Sequence, residues 1–259
     1  MTAGKRPPIP VKHSPERLAV SATRHEPQLA SMASVIADPS RSRMLCYLLS
    51  GEYASAGELA RAGSVAASTA SGHLQKLLDA ALLVCEQRGR HRYYKLADAD
   101  VAHALEALAL VAERKTHESA WANPSRSRLR YARCCYGHLA GKLGVELFAH
   151  MQMQHWLAPH EGGWCLADKG LAQWDVLGVD ASIGMHPPSS RQASGRMAYP
   201  CLDWSERKDH MAGQLAKALL DQFLEKGWLL KLAGERSLEL TPIGRQRLGG
   251  LLPSANALD

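Results

Sequence analysis

The sequence predicts a mainly helical α+β protein with two domains. Two helical segments separated by a turn of small residues lie between residues 38 and 80. Two β-like runs joined by a basic turn follow directly, at 82–87 and 91–96. The second half of the chain matches itself when it is shifted by 72 residues. These patterns predict an N-terminal winged helix-turn-helix and a C-terminal domain of two pseudo-repeated helix–hairpin–helix units.

Composition and charge narrow the class of protein. Of the 259 residues, 46% are hydrophobic and 22% are charged, as in soluble globular proteins. No apolar run approaches the roughly 20 residues of a membrane span, so no membrane partner is expected. The net charge is +6, and segment 88–95 carries four cations and no acid. Segment 64–78 also lacks acids, and this distribution favours a nucleic-acid partner.

The cysteines and the N-terminus indicate the compartment. The sequence contains six cysteines, which are Cys46, Cys85, Cys134, Cys135, Cys165 and Cys201. None forms a Cys-x-x-Cys pair, which argues against a zinc ribbon or finger. Residues 1–26 are polar and lack the apolar segment of a secretory signal. We therefore expect a flexible N-terminal arm, free thiols and a cytoplasmic location.

Helix start signals define the first domain. A short helix is expected at 29–36, followed by Asp38 as a cap and Pro39 as the first residue of the next helix. Ser55, with Glu58 three residues later, predicts a capping box at the start of the third helix.

The helix predicted at 67–80 has two contrasting faces. Ala70, Leu74, Leu77 and Leu78 form its apolar face. The opposite face presents small or polar side chains, which are Ser68, Thr69, Ser71, His73, Gln75 and Lys76. Short side chains let a helix enter the major groove closely, and a glutamine such as Gln75 can pair with an adenine edge. We interpret this segment as the recognition helix of a helix-turn-helix.

The two β-like runs predict a hairpin that forms a wing. Arg88, Arg90 and Arg92 cluster at its tip, where guanidinium groups can contact DNA phosphates. Tyr93 and Tyr94 are residues that favour strands, and one of them is expected to face the core.

Two segments of this half have a specific pattern, DPSRSRMLCYLL and ASTASGHLQKLLDAALLVCEQRGRHRYYKL. With the helix that follows, they resemble the ArsR/SmtB family of winged-helix repressors over about residues 29–113. The resemblance implies a homodimer in which each protomer reads one half-site of an inverted-repeat operator, and an effector that relieves repression. It also implies that the helices at 29–36 and 98–115 form the dimer contact, the second through Leu105, Leu108, Val111 and Ala112.

The ligands of the family's metal-sensing members are not matched here. Those members carry a thiolate pair in the first helix of the motif, and GELARAG contains no cysteine. Asp100 and His103 differ in spacing from the family's other site, and His117 has only Glu118 nearby. We therefore expect the inherited metal sites to be absent and the effector to bind elsewhere.

The internal match in the second half centres on two histidines. His138-Leu139-Ala140-Gly141 falls on His210-Met211-Ala212-Gly213. Each copy is predicted to contain a long amphipathic helix, an aromatic-led hairpin and a short helix, after a linker at 121–128. Two similar units packed about a pseudo-twofold axis would bring the histidines together.

Sulfur ligands lie near both histidines. Cys134 and Cys135 precede His138 by four and three residues, which would place them on one helix face. Cys201 lies on the segment that enters the second copy, before His210. Cys135, His138, Cys201 and His210 could form a tetrahedral set for zinc or copper.

Three alternatives to a metal site stay open. The histidines could be buried polar partners at the seam between the copies, bonded to carbonyl groups. The pairs Cys134–Cys135 or Cys135–Cys201 could be redox or electrophile sensors without a metal, with Arg133 favouring the thiolate. A small organic effector could bind an aromatic pocket formed from Trp164, Trp174, Trp204 or Tyr199.

We therefore predict a sequence-specific DNA-binding regulator and no enzyme, since phosphate-loop and nucleophile-elbow motifs are missing. Asp203, Glu206 and Asp209 are interpreted as a solvated helix start. The expected domains are a winged helix-turn-helix and dimerisation domain at 27–118 and a duplicated effector-sensing domain at 126–255, with repeats at about 126–180 and 199–255. The alternative is a winged-helix scaffold that binds protein.

Overall fold

The computed structural model describes five parts of the chain, which are residues 28–115, 122–160, 163–178, 180 and 197–256. The arm expected at 1–26, and His117 with Glu118, lie outside the described residues. Within these parts, every helix is too short or too polar to cross a bilayer.

The N-terminal domain is a helical unit closed by a small sheet. Its helices are α1 (Leu29–Ile36), α2 (Pro39–Leu48), α3 (Ala56–Gly63), α4 (Ala67–Asp79) and α5 (Ala99–Ala112), the last followed by a 3-10 turn at Glu113–Lys115. Its strands are β1 (Ala54–Ser55), β2 (Leu83–Arg88) and β3 (His91–Leu96). They form an antiparallel sheet in the order β1-β3-β2. This arrangement is a winged helix-turn-helix.

Local signals in the sequence account for these boundaries. Asp38 accepts hydrogen bonds from the backbone N–H groups of Ser40 and Arg41, and Pro39 is the first residue of α2. Ser55 and Glu58 form the capping box at the start of α3. These predictions are confirmed, as is the burial of one wing tyrosine, since Tyr94 is 4% exposed and packs in the core.

The C-terminal part alternates hairpins and helices. Its helices are α6 (Pro124–Tyr131), α7 (Lys142–Met153), α8 (Asp168–Leu177), α9 (Gln214–Glu225) and α10 (Pro242–Leu248). Its hairpins pair β4 (Arg133–Cys135) with β5 (His138–Ala140), β6 (Leu157–His160) with β7 (Gly163–Leu166), β8 (Tyr199–Leu202) with β9 (Asp209–Ala212), and β10 (Leu229–Lys231) with β11 (Leu238–Leu240). A 3-10 turn at Pro253–Asn256 follows.

Two sequence predictions for this part are wrong. Most of the segment expected to be a linker at 121–128 begins α6, because Asn123 caps the helix and Pro124 occupies its first position. The segments around His138 and His210 are strands rather than helices. In the first hairpin Tyr136 and Gly137 both have positive φ, which is the backbone of a tight two-residue hairpin turn.

The two domains have separate apolar cores and touch along one side. The backbone N–H of Tyr136 donates to the carbonyl of Leu49 at 2.5 Å. The C-terminal core is built around large side chains that are buried or nearly so, which are Phe148, Trp156, Trp174, Phe223 and Trp228. The contact places β4 and β5 directly against the end of α2.

Two glycines at equivalent helix starts allow close backbone approaches in this core. A Cβ added to Gly170 in α8 would lie 2.1 Å from the carbonyl oxygen of Trp156, and one added to Gly244 in α10 would lie 2.1 Å from that of Trp228. The same carbonyls accept hydrogen bonds from the backbone N–H groups of Ala167 and Thr241. Neither oxygen can therefore move away without losing its bond.

We expect Gly244→Ala to lower the free energy of unfolding by about 1–3 kcal/mol, as overpacking does in other cores. Urea denaturation followed by far-UV circular dichroism measures this change. Gly250→Ala is the control, since an added Cβ there meets nothing within 4 Å. Equal midpoints for the two variants would contradict the prediction.

Candidate nucleic-acid interface and buried Cys/His cluster

The outward face of α4 is exposed and polar. The exposed side chains on it are Ser68, Thr69, Ser71, Gln75 and Lys76. Gln75 Nε2 donates to Asp79 Oδ1 at 2.7 Å, a bond that pairing with a base edge must replace. The side chain of His73 is only 16% exposed, and its Nδ1 lies 3.3 Å from Arg41 Nη1 and 3.8 Å from Asp38. His73 therefore contacts the start of α2 from α4. The sequence had predicted that this side chain points outward with the others.

The wing arginines differ in their surroundings. Arg88 binds both carboxylate oxygens of Glu86, at 3.1 and 3.0 Å, and its guanidinium lies 4.7 Å from the ring centre of Tyr53. Arg92 donates to the sulfur of Cys85 at 3.3 Å. Arg90 is exposed at the tip and has no ion pair among the described residues. Arg90 is thus the wing cation most available to a phosphate.

Apolar side chains are exposed on α1 and α5. Leu29 and Met32 of α1 are 74% and 37% exposed, and Leu108 and Val111 of α5 are 51% and 52% exposed. Leu108 and Val111 are three residues apart and so lie on one face of the helix. This is the face that the sequence assigned to a dimer contact.

The structure brings together the four residues proposed as a tetrahedral set. Cys135 lies directly opposite His138 in the first hairpin, and Cys201 lies directly opposite His210 in the third hairpin. All four side chains are buried, and their ligand atoms lie within 4.8 Å of one another. The Nε2 atoms of the two histidines are 3.0 Å apart. Each hairpin therefore contributes one sulfur and one imidazole.

Cys134 lies outside this cluster. Successive residues of a strand point to opposite faces, and the Cys134 thiol donates to the carbonyl of Ser50 at 2.9 Å. Burial raises the pKa of Cys134 to about 12. The expectation that Cys134 and Cys135 share a helix face is therefore wrong.

The expectation that Arg133 favours a thiolate is also wrong. A hydrogen bond with the Cys201 thiol, together with burial, raises the pKa of Cys135 well above its usual value of 9.0. The Arg133 guanidinium is instead bonded to Asp203. A shift in this direction disfavours the thiolate, which is the nucleophilic form of cysteine.

Behind the cluster lies a carboxylate that the sequence did not single out as functional. Asp203 is fully buried, and its Oδ2 lies 2.9 Å from Arg133 Nη2, 2.7 Å from the backbone N of Gly141 and 3.4 Å from His210 Nδ1. The interpretation of Asp203 as part of a solvated helix start is wrong. Burial would raise the pKa of Asp203, but the charge of Arg133 and these donors outweigh burial and lower it. Burial, and next the neighbouring His138, lowers the pKa of His210, so this imidazole is neutral.

The buried charges continue to α5. Arg133 forms a second ion pair with Glu106 of α5, at 3.8 Å, and Glu106 forms another ion pair with Arg236. Glu106 is 2% exposed and Arg133 is fully buried. The sequence offered one signal for this arrangement, a glutamate within the otherwise apolar segment 104–112 of α5. A chain of alternating charges therefore joins His210 to the helix that carries Leu108 and Val111.

Comparison with known proteins decides the family. A model described as a helix-turn-helix domain matches residues 36–86. The uncharacterized HTH-type transcriptional regulator YdfF of Bacillus subtilis is 37% identical over 221 residues, which cover 85% of this chain and 94% of YdfF. This chain belongs to the HTH-type transcriptional regulators. The match to YdfF extends through most of the C-terminal part as well as the DNA-binding head.

Other relatives share the head of this regulator only. The HTH-type transcriptional regulator CmtR of Mycobacterium tuberculosis is 39% identical over 80 residues, 31% of this chain and 67% of CmtR. The solved homodimeric winged helix-turn-helix domain of Mb0332 from Mycobacterium bovis, a possible ArsR-family regulator, is 27% identical, with a TM-score of 0.33, over 35% of this chain and 82% of that one. The prediction of a helix-turn-helix regulator head is confirmed.

The aromatic residues of the regulator are dispersed. Trp174 is fully buried in the core, Trp164 packs on Phe148, and Trp204 lies 4.6 Å from the guanidinium of Arg133. Tyr199 borders two cavities beside the cluster, and its ring contacts that of His103.

Proposed function

We propose that this regulator is a homodimeric, cytoplasmic repressor that binds an inverted-repeat operator in double-stranded DNA. The observation that carries this proposal is the pairing of an exposed polar face on α4, which has no acid before Asp79, with a wing that presents Arg90. Such a helix reads base edges, and such a wing holds phosphates. The exposed apolar faces of α1 and α5 support dimerisation, because a second copy would cover them.

The proposal assigns residues 27–118 to DNA binding and dimerisation and residues 126–255 to effector sensing. Two features support a duplicated origin for the second part, with copies at about 126–180 and 199–255. Hairpin, helix, hairpin and helix follow one another in each copy, and each copy supplies one Cys–His pair to the buried cluster. We assign effector reception to this cluster, and its occupation releases the DNA.

Substitutions in the wing and in α4 separate affinity from specificity. Arg90→Ala is expected to weaken binding to all duplexes and to reduce the slope of log K against log salt by about 1, since one phosphate contact is lost. Gln75→Ala is expected to cost about 1–3 kcal/mol on the preferred duplex and little on a scrambled one. Fluorescence anisotropy with a duplex selected from a random library, at several salt concentrations, measures both effects.

Arg247→Ala is the control, because Arg247 is an exposed cation on α10, outside the proposed interface. Wild-type affinity and salt slope are expected for this variant. If the selection returns no palindrome and the full chain binds every duplex equally, the operator assignment fails and a protein-binding scaffold is favoured. If Arg90→Ala and Gln75→Ala both bind like wild type, the assigned interface is wrong.

A further inference from the structure

We propose that Cys135, His138, Cys201 and His210 bind one divalent ion of the zinc type, and that the buried charges behind His210 transmit its binding to α5. The first half of this proposal concerns the chemistry of the cluster alone. The second half rests on the proposed function, because it makes the ion the effector that controls DNA affinity.

The donor atoms select the class of ion. Two sulfurs and two imidazole nitrogens are the ligands of borderline and soft metals in tetrahedral sites. Hard cations such as magnesium and calcium require oxygen ligands. The four ligand atoms lie within 4.8 Å of one another, and a tetrahedral zinc site needs separations of about 3.3–3.8 Å. Small rotations of the four side chains would close this difference.

Charge balance favours a divalent ion over monovalent copper. When the ion binds, one proton leaves each cysteine thiol, and two metal–sulfur and two metal–nitrogen bonds form. A divalent ion, two thiolates and two neutral imidazoles then sum to zero charge. A buried site with no net charge avoids the desolvation cost of an isolated ion. Monovalent copper with the same ligands would leave one uncompensated negative charge.

Asp203 is placed to orient one of the ligands. His210 Nδ1 is buried, and among the described residues it makes no hydrogen bond, although Asp203 Oδ2 lies only 3.4 Å away. A small movement of the ring would let Nδ1–H donate to this carboxylate and leave Nε2 free for the metal. Carboxylates hold metal-binding histidines in this way and increase their affinity.

An ion can reach the cluster from the surface. One open cavity, of about 660 Å³, is lined by His138 together with His103 and Tyr199. A second cavity, of about 380 Å³, is lined by Cys201 and Glu106, again together with His103 and Tyr199. Two of the four ligands, His138 and Cys201, therefore border open cavities at the junction between α5 and the hairpins.

The same carboxylate couples the cluster to α5. A metal on Nε2 makes Nδ1–H of His210 a stronger donor, which draws Asp203 towards His210 and away from Arg133. Glu106 of α5, which now lies 3.8 Å away, is then the remaining carboxylate beside Arg133. Closing this pair would shift α5, which carries the exposed Leu108 and Val111. We therefore expect the ion to lower DNA affinity, by about 5–150-fold.

The test uses the full chain, purified under reducing conditions and stripped of metal. Cobalt(II) is titrated and followed by its visible and thiolate charge-transfer absorption, and zinc is counted by native mass spectrometry. One ion per chain and the spectrum of a tetrahedral sulfur-bound cobalt are expected. Cys201→Ser should weaken cobalt binding by at least about 100-fold, and Asp203→Asn by about 10–100-fold.

Cys134→Ser is the matched control, since Cys134 adjoins a proposed ligand but points to Ser50. It should bind cobalt like wild type. Wild-type protein that takes up no cobalt or zinc would overturn the metal site, as would equal binding by Cys134→Ser and Cys201→Ser. The wild-type result stands even if a ligand variant does not fold.

DNA affinity is measured on the same samples, with and without zinc, by anisotropy. A lower affinity with zinc in wild type, but not in Cys201→Ser, supports the coupling. One bound ion with unchanged DNA affinity overturns the coupling and leaves a structural metal site. Failure of the metal-free protein to select any DNA sequence overturns the proposed function, whereas the cobalt titration still decides the site.

Discussion

Glu106→Ala is expected to lower the free energy of unfolding by about 3–5 kcal/mol, because it leaves the largely buried guanidinium of Arg236 without its carboxylate and removes one of the two carboxylates beside Arg133. Glu106 is 2% exposed and is the carboxylate that Arg133 and Arg236 share. It also ties α5 to the C-terminal domain, so its loss affects the contact between the domains as well as the local packing. Urea denaturation at pH 7, followed by tryptophan fluorescence, measures the change.

The control for this prediction is Glu52→Ala. Glu52 pairs with Lys231 across the same two domains at 2.7 Å, but both side chains are about half exposed or more. Exposed ion pairs contribute about 0–1 kcal/mol, so this variant should unfold almost like wild type. If both variants lost a comparable free energy of unfolding, the prediction that the buried ion pairs of Glu106 stabilise more than an exposed pair would be contradicted.

The pH dependence of Glu106 gives a second readout. Burial would raise its pKa, but Arg236 and Arg133 outweigh burial and lower the pKa below its usual value of 4.5. The pKa of Glu106 is therefore lower in the folded than in the unfolded chain. Its contribution to stability is fully present above the unfolded-state pKa and is lost as the pH falls through the folded-state pKa. Glu106→Gln should therefore lose stability at pH 7 and show a flatter decline than wild type below about pH 4.5.

Leu108→Glu is expected to dissociate the proposed dimer and to weaken binding to the proposed operator by at least about 100-fold. A charge within an apolar interface opposes association. A monomer also loses the gain in affinity, about 10²–10⁴-fold, that binding to two linked half-sites provides. Leu108 is 51% exposed on α5, next to Val111, so the substitution disturbs little within the protomer. Light scattering after gel filtration gives the mass, and anisotropy gives the affinity.

Ile243→Glu is the matched control for Leu108→Glu. Ile243 is an apolar side chain on α10 that is 56% exposed, away from α1 and α5. Wild-type mass and affinity are expected for it. If Leu108→Glu keeps the wild-type mass, the dimer contact lies elsewhere on the molecule.

Local chemistry in the sequence was sufficient for the winged head. Asp38, Pro39 and the Ser55–Glu58 box act within one helical turn, and the structure contains each of them as predicted. Such signals depend on nearest neighbours along the chain, so they survive in any tertiary setting.

The paired histidines were visible in the sequence, but the equivalence of the cysteines was not. A shift of 72 residues places His138 on His210, yet it places Cys135 on Arg207 rather than on Cys201. The reason is the hairpin connection. Tyr136 and Gly137 alone join the first pair, whereas residues 202–209 separate Cys201 from His210. Register across strands, not spacing along the chain, makes the two Cys–His pairs alike.

The sequence by itself determined the helix-turn-helix head, and it proposed, among alternatives, the four residues that the structure brings together in the cluster. Only the tertiary structure decided that these four lie on strands, that Cys134 points away, and that Asp203 and Glu106 extend the cluster to α5. Hydrophobic period and caps are local, whereas buried charges find partners from distant segments, and which segments meet is settled by packing. Asp203 looked like a solvated acid beside Arg207 and Lys208, and burial against Arg133 gave it another role.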